Sequence, residues 1–121
     1  MTNCSPPSEA QEQEALFEWA SWRESKYPIL NLMYAIPNGE KRDIVTGAKL
    51  KRQGVKAGMP DVHLPVARHG YSSLYIEMKK RGGTLTEDQK KKIPQLQFAG
   101  NKCEVCYGCE EAIKVLEEYL K

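Results

Sequence analysis

Pro60-Asp61 is followed, after a spacer of fifteen residues, by Glu77-Met78-Lys79. Two carboxylates and a lysine at such spacing can do hydrolytic chemistry if the backbone brings them together. In an extended strand alternate side chains share a face, so Asp61 goes with His63, and Glu77 with Tyr75 and Lys79. Asp61 and Glu77 on neighbouring strands would offer hard oxygen donors of the kind Mg²⁺ or Mn²⁺ prefers. Lys79, on the same face, would orient or help deprotonate an attacking water and offset charge building on a phosphorane-like transition state. The set suits metal-assisted phosphodiester hydrolysis. As a bare pattern it is weak, because charged strands produce it often, and its value depends on the elements around it.

Those elements are legible in part. Val62, Leu64 and Val66 alternate with Asp61 and His63, and Leu74, Ile76 and Met78 alternate with Tyr75, Glu77 and Lys79, which predicts two strands each with one polar face. Ser8-Glu9-Ala10-Gln11 and Thr86-Glu87-Asp88-Gln89 are capping boxes, opening helices expected to run to about Glu24 and Ala99. Pro94 should kink or shorten the second. The apolar run Ile29–Ile36, ended by Pro37-Asn38-Gly39, reads as a buried strand. Glu40–Ala57 reads as a long basic loop or short helix, Cys103–Tyr107 as a last strand and Glu110–Lys121 as an amphipathic helix. The order is helix, three strands, helix, strand, helix. Residues 1–7 are expected to form a loose tail and 8–121 one domain.

Several other residues have two readings. Glu9 and Gln13 fall on the same face of the first helix as Leu16 and Ala20. Glu9 either meets a partner on the inward side or bends out to favour the helix dipole. Gln89 closes a capping box. His63 either touches a metal-bound water or phosphate or makes a structural hydrogen bond. Trp19 and Trp22 read as core or as a dimer interface, with base stacking the weaker choice. Cys103, Cys106 and Cys109 have the spacing C-x-x-C-x-x-C, but a cluster needs four thiolates, and in a strand Cys103 and Cys106 point to opposite faces. Buried thiols are the better reading.

Composition sets outer bounds. The chain has 121 residues and net charge +2, yet residues 1–39, 40–92 and 93–121 carry −3, +7 and −2. A basic middle between acidic ends suggests a polyanion partner, with Lys41, Arg42, Lys49, Lys51, Arg52, Lys56, Lys80 and Arg81 as candidate phosphate contacts. No stretch reaches the ~18 to 20 apolar residues of a membrane span, and residues 1–13 lack the features of a signal peptide. The expectation is a cytoplasmic protein with reduced thiols and no membrane partner.

Taken jointly, Ser8-Glu9 with Gln13, Ala35-Ile36-Pro37-Asn38-Gly39, Gly54-Val55-Lys56-Ala57-Gly58-Met59-Pro60-Asp61, Tyr75-Ile76-Glu77-Met78-Lys79, and Leu85 with Gln89 resemble the virus-type replication-repair nuclease (VRR-NUC) domain of the PD-(D/E)xK nuclease superfamily, from Ser8 to Leu120. The resemblance implies an α/β, restriction-endonuclease-like αβββαβ(α) core, a mixed central sheet flanked by helices. It implies a metal-dependent DNA endonuclease in which Asp61, Glu77 and the Met78 carbonyl bind Mg²⁺ or Mn²⁺. Lys79 would then be the catalytic lysine, Glu9 the acid of the first helix and a further candidate ligand, and Gln89 a helper beside the site. Gln13, Asn38 and His63 are secondary candidates. Stand-alone relatives look like homodimeric phage enzymes acting on branched DNA such as Holliday junctions, without a small-molecule cofactor, in a bacterial or phage-infected cell. The competing reading is a non-catalytic DNA-binding module whose metal site stays vacant.

Overall fold

Two reciprocal caps start the helices that frame the fold. Ser8 Oγ accepts from the Gln11 N–H at 3.1 Å, while the Ser8 N–H donates to Gln11 Oε1 at 2.9 Å. Thr86 and Gln89 repeat the exchange at 3.2 and 2.9 Å. Each box satisfies donors that a helix start leaves without partners. In the structure, a computed structural model describing residues 6–37 and 44–121, they open α1 (Glu9–Arg23) and α3 (Glu87–Phe98). The remaining elements are β1 (Tyr34–Ala35), α2 (Ile44–Arg52), β2 (Val62–Leu64), β3 (Leu74–Lys79), β4 (Lys102–Tyr107) and α4 (Cys109–Tyr119).

Two local expectations are corrected. The run Ile29–Ile36 is not one buried strand: Pro28–Leu32 is a 3₁₀ turn, and only Tyr34 and Ala35 pair with the sheet. Its buried residues, Leu30 and Met33, lie three apart, which is the repeat of a 3₁₀ turn and not of a strand. Pro28 presets the first φ of that turn. Nor does Pro94 shorten α3, which runs four residues beyond it. Pro94 is exposed, so the carbonyl one turn back, left without its amide partner, can bond to water. The helix stops instead at Gly100, whose φ of 104° suits glycine, and at Asn101, whose side chain donates to the Leu96 carbonyl at 3.0 Å.

The strands form one mixed sheet in the order β1-β2-β3-β4. β1–β2 and β2–β3 are antiparallel, and β3–β4 is parallel, with α3 as the crossover. The expected α/β core with a mixed sheet is what forms, with α2 between β1 and β2. One sheet face carries Val62, Leu64, Leu74, Ile76 and Met78 into a core shared with Leu16 and Ala20 of α1 and with Ala112, Leu116 and Tyr119 of α4. Tyr119 and Leu120 therefore belong to the core and not to an exposed apolar surface. Both are buried, and the Tyr119 hydroxyl donates to the Val66 carbonyl at 2.6 Å. Trp22, by contrast, is 76% exposed. Among the described residues no helix is long and apolar enough to cross a membrane.

Candidate active site

The β2–β3 register, Val62 opposite Ile76, continues one step to set Asp61 across from Glu77. Asp61 is tied on both sides: its carbonyl accepts from the Ile36 N–H at 2.7 Å, and its Oδ2 accepts from the Met78 N–H at 2.8 Å. Lys79 Nζ lies 3.5 Å from Glu77 Oε2. The polar face expected for β3 is not solvated at this end, since Glu77 is 2% and Lys79 8% exposed.

Burial, and then the nearby charge of Asp61, push the Glu77 carboxyl up to about 8, with the Lys79 ammonium opposing. Burial likewise raises Asp61, which the Met78 N–H counters, and the charge of Glu9 adds to the rise. Two desolvated acids against one ammonium leave the site short of positive charge. Glu77 and Asp61 share a side-chain hydrogen bond, which raises the one and lowers the other, and Glu77 Oε1 is buried with no donor from any other group. A buried acceptor in that state costs ~1–3 kcal/mol, more if charged, and calls for a cation or donor at that position. The donor set fits a hard divalent ion such as Mg²⁺ or Mn²⁺. Among the described residues no three His, Cys, Asp or Glu side chains cluster for a metal, so the side chains supply two carboxylates, and other donors would be main chain and water.

The remaining candidates separate cleanly. Glu9 sits in the first turn of α1, and its Oε2 accepts from the Lys80 N–H at 3.3 Å, which puts it at the edge of this site. Gln89 is buried with its Oε1 committed to the Thr86 N–H, so it acts as the cap of α3. His63 is taken by a structural network. Ser73 Oγ donates to Asn101 Oδ1 at 2.6 Å, so the ring donates from Nε2 to Ser73 Oγ and accepts the Tyr34 hydroxyl proton at Nδ1, each at 2.9 Å. The ring also stacks on Tyr75 at 4.2 Å, and burial lowers its pKa. Gln13 is half-buried on α1. Lys49, Lys51 and Arg52 are exposed in the last turn of α2, and Lys56, Lys80 and Arg81 are exposed on loops. Asn38, Lys41 and Arg42 lie outside the described residues. Burial raises all three thiols, Cys103 to about 11 and Cys106 to about 12, so they stay protonated at neutral pH and are poor metal ligands.

Two features escape a reading of the sequence. Tyr107 pairs with Lys79 across β3–β4, a neighbour that no local pattern announces. Gly58, with φ 83°, lies so close to α3 that an added Cβ would meet the Asp88 carbonyl oxygen at 2.5 Å. That contact seats the loop leading into buried Pro60 and half-buried Asp61. Gly58→Ala is expected to cost about 2 to 5 kcal/mol, from left-handed strain of ~1–2 and overpacking of ~1–3. Urea unfolding measures it, and an unchanged midpoint would mean that the loop yields freely.

The family model of the VRR-NUC domain matches residues 8–110. A solved structure described as a VRR_NUC domain protein superposes with a TM-score of 0.81 at 31% sequence identity, covering 95% of this chain and 89% of that one. No curated protein matches the chain.

Proposed function

The chain belongs to the VRR-NUC family, nuclease-type domains that process DNA, and from that premise we propose that it is a Mg²⁺- or Mn²⁺-dependent endodeoxyribonuclease. The observation that carries this reading is the orphaned Glu77 Oε1, buried beside Asp61 and Lys79. Asp61, Glu77 and the Met78 carbonyl would hold the ion, with Glu9 at the edge. When bound, such an ion polarises a phosphate oxygen and lowers the pKa of an attacking water. Lys79, whose Nζ lies 3.5 Å from Glu77 Oε2, would position that water and offset charge developing on the phosphate. The Met78 N–H holds the Asp61 carboxylate in place. Lys49, Lys51 and Arg52 would contact phosphates.

We infer further that the enzyme selects branched DNA and works in the cytoplasm as a homodimer. A four-way junction presents two equivalent strands related by a two-fold axis, and a two-fold dimer would place one site on each. The exposed Trp22 is an apolar group such an interface could cover.

The test is to incubate the protein with labelled duplex, single-stranded, flap and four-way junction DNA in Mg²⁺, Mn²⁺ or chelator. Metal-stimulated cleavage, strongest on branched DNA, is expected. Binding without cleavage of any substrate would leave a DNA-binding module. In the same assays, replacing Lys49, Lys51 and Arg52 with Ala should weaken binding to all sequences and flatten the log–log salt slope by about 2 to 3, near 0.9 per lost phosphate contact. An unchanged slope would place the contacts elsewhere. Sedimentation should give twice the 13.7 kDa chain mass, and a monomer that resolves junctions would remove the dimer.

A further inference from the structure

Where β3 and β4 end, the surface opens into a cleft of about 810 Å³ lined by Glu9 and Glu12 of α1, by Lys80 and Arg81 beyond β3, and by Tyr107 and Gly108. Tyr107 is the parallel-ladder partner of Lys79. Paired residues of parallel strands project from the same side of the sheet, so Tyr107 stands one strand spacing, roughly 4.8 Å at the backbone, from the site lysine and on its side. Unlike Lys79, it is 40% exposed. Its backbone is anchored, because the Tyr107 N–H donates to Glu111 Oε1 at 3.0 Å.

The cleft carries charges of both signs. Glu9 accepts the Lys80 N–H, and Glu12 lies against Gly108, where an added Cβ would meet its Oε2 at 2.8 Å. Lys80 and Arg81 form no ion pair among the described residues. Two cations free to meet phosphates, next to an exposed ring on the side of the acidic pair, match a nucleotide: backbone for the cations and a flat base for the ring. In a continuous duplex the base faces are already stacked on one another, so this ring can meet only a base that has left the stack.

We propose that Tyr107 is a stacking platform for an unpaired base beside the scissile phosphate, with Lys80 and Arg81 holding the backbone of that single-stranded segment. The inference rests on the nuclease reading and gives it a substrate feature, an unpaired nucleotide next to the cut. Tyr107 is then a positioning residue that selects substrate.

Two readouts test it. On flap DNA, Tyr107→Ala should raise KM about 5- to 100-fold with little change in kcat, and should leave cleavage of continuous duplex unaltered. Tyr107→Phe and Tyr107→Trp should behave as wild type, since stacking needs the ring face and not the hydroxyl. A 2-aminopurine at the unpaired position should be quenched by wild-type protein in chelator and not by Tyr107→Ala. Equal KM in Tyr107→Ala with wild-type cleavage intact, absent quenching by wild type, or equal losses in Tyr107→Phe would each overturn the platform. If wild type cleaves nothing, the nuclease reading falls, while the quenching still decides whether an unpaired base meets Tyr107.

Discussion

Asp61→Asn should lower metal-dependent cleavage about a thousandfold or more while the fold and DNA affinity survive. The amide keeps the shape of the carboxylate and retains an oxygen to accept the Met78 N–H, which is 2.8 Å from Asp61 Oδ2. What it removes is one of two negative charges at the proposed ion site. Loss of a positioned charge that acts on the transition state costs on the order of 10²–10³, and loss of the ion itself costs more. Asp61→Ala would add about 1–3 kcal/mol of lost stability by leaving the buried Met78 N–H without its acceptor. Single-turnover cleavage of junction DNA, read beside urea unfolding and binding in chelator, separates these outcomes. Near-wild-type cleavage by Asp61→Asn would remove Asp61 from the chemistry. Lys79→Ala should cost about 10² or more, and should also make Glu77 harder to ionise by removing the ammonium that opposes its protonation.

Glu77→Gln should do two things of opposite sign. It should remove cleavage as Asp61→Asn does, and it should stabilise the metal-free protein at pH 8. The folded carboxyl ionises near 8, against 4.5 for an ordinary glutamate. Between those values the native chain holds a proton that the unfolded chain has released. Stability of the metal-free protein therefore falls as pH rises through that window, and is unpenalised below about 4.5. Glutamine has no proton to lose, so the difference from wild type should widen from pH 5 to pH 8. Ion binding must displace the same proton, so Mg²⁺ affinity of the wild type should climb by up to about tenfold per pH unit until it levels near pH 8. Thermal melts at pH 5 and 8 with chelator or Mg²⁺ check both halves. Parallel melting curves for wild type and Glu77→Gln would show that Glu77 is ionised without difficulty, against the picture of a charge-starved pair.

What could be read from residue order was what depends on neighbours a few positions apart. Both capping boxes form as their S-x-x-Q and T-x-x-Q patterns require, because each exchange lies within a single turn. The alternation around Asp61 and Glu77 placed β2 and β3 because a strand's period of two is local. The apolar run Ile29–Ile36 misled for the same reason. An apolar stretch satisfies strand and turn periods alike, and packing of Leu30 and Met33 into the core chose the turn. Nothing local distinguishes the solvated face of a strand from a buried one, so the desolvation of Glu77 and Lys79, and with it the raised carboxyl, appeared only once the sheet, helices and loops were assembled. His63 shares a strand face with Asp61 in any reading, yet its role was decided by Tyr34, Ser73 and Asn101, brought in from distant parts of the chain. Tyr107 met Lys79 through a parallel register set by the α3 crossover. Pairing between strands so far apart in sequence depends on how that crossover packs, and no spacing of residues records it.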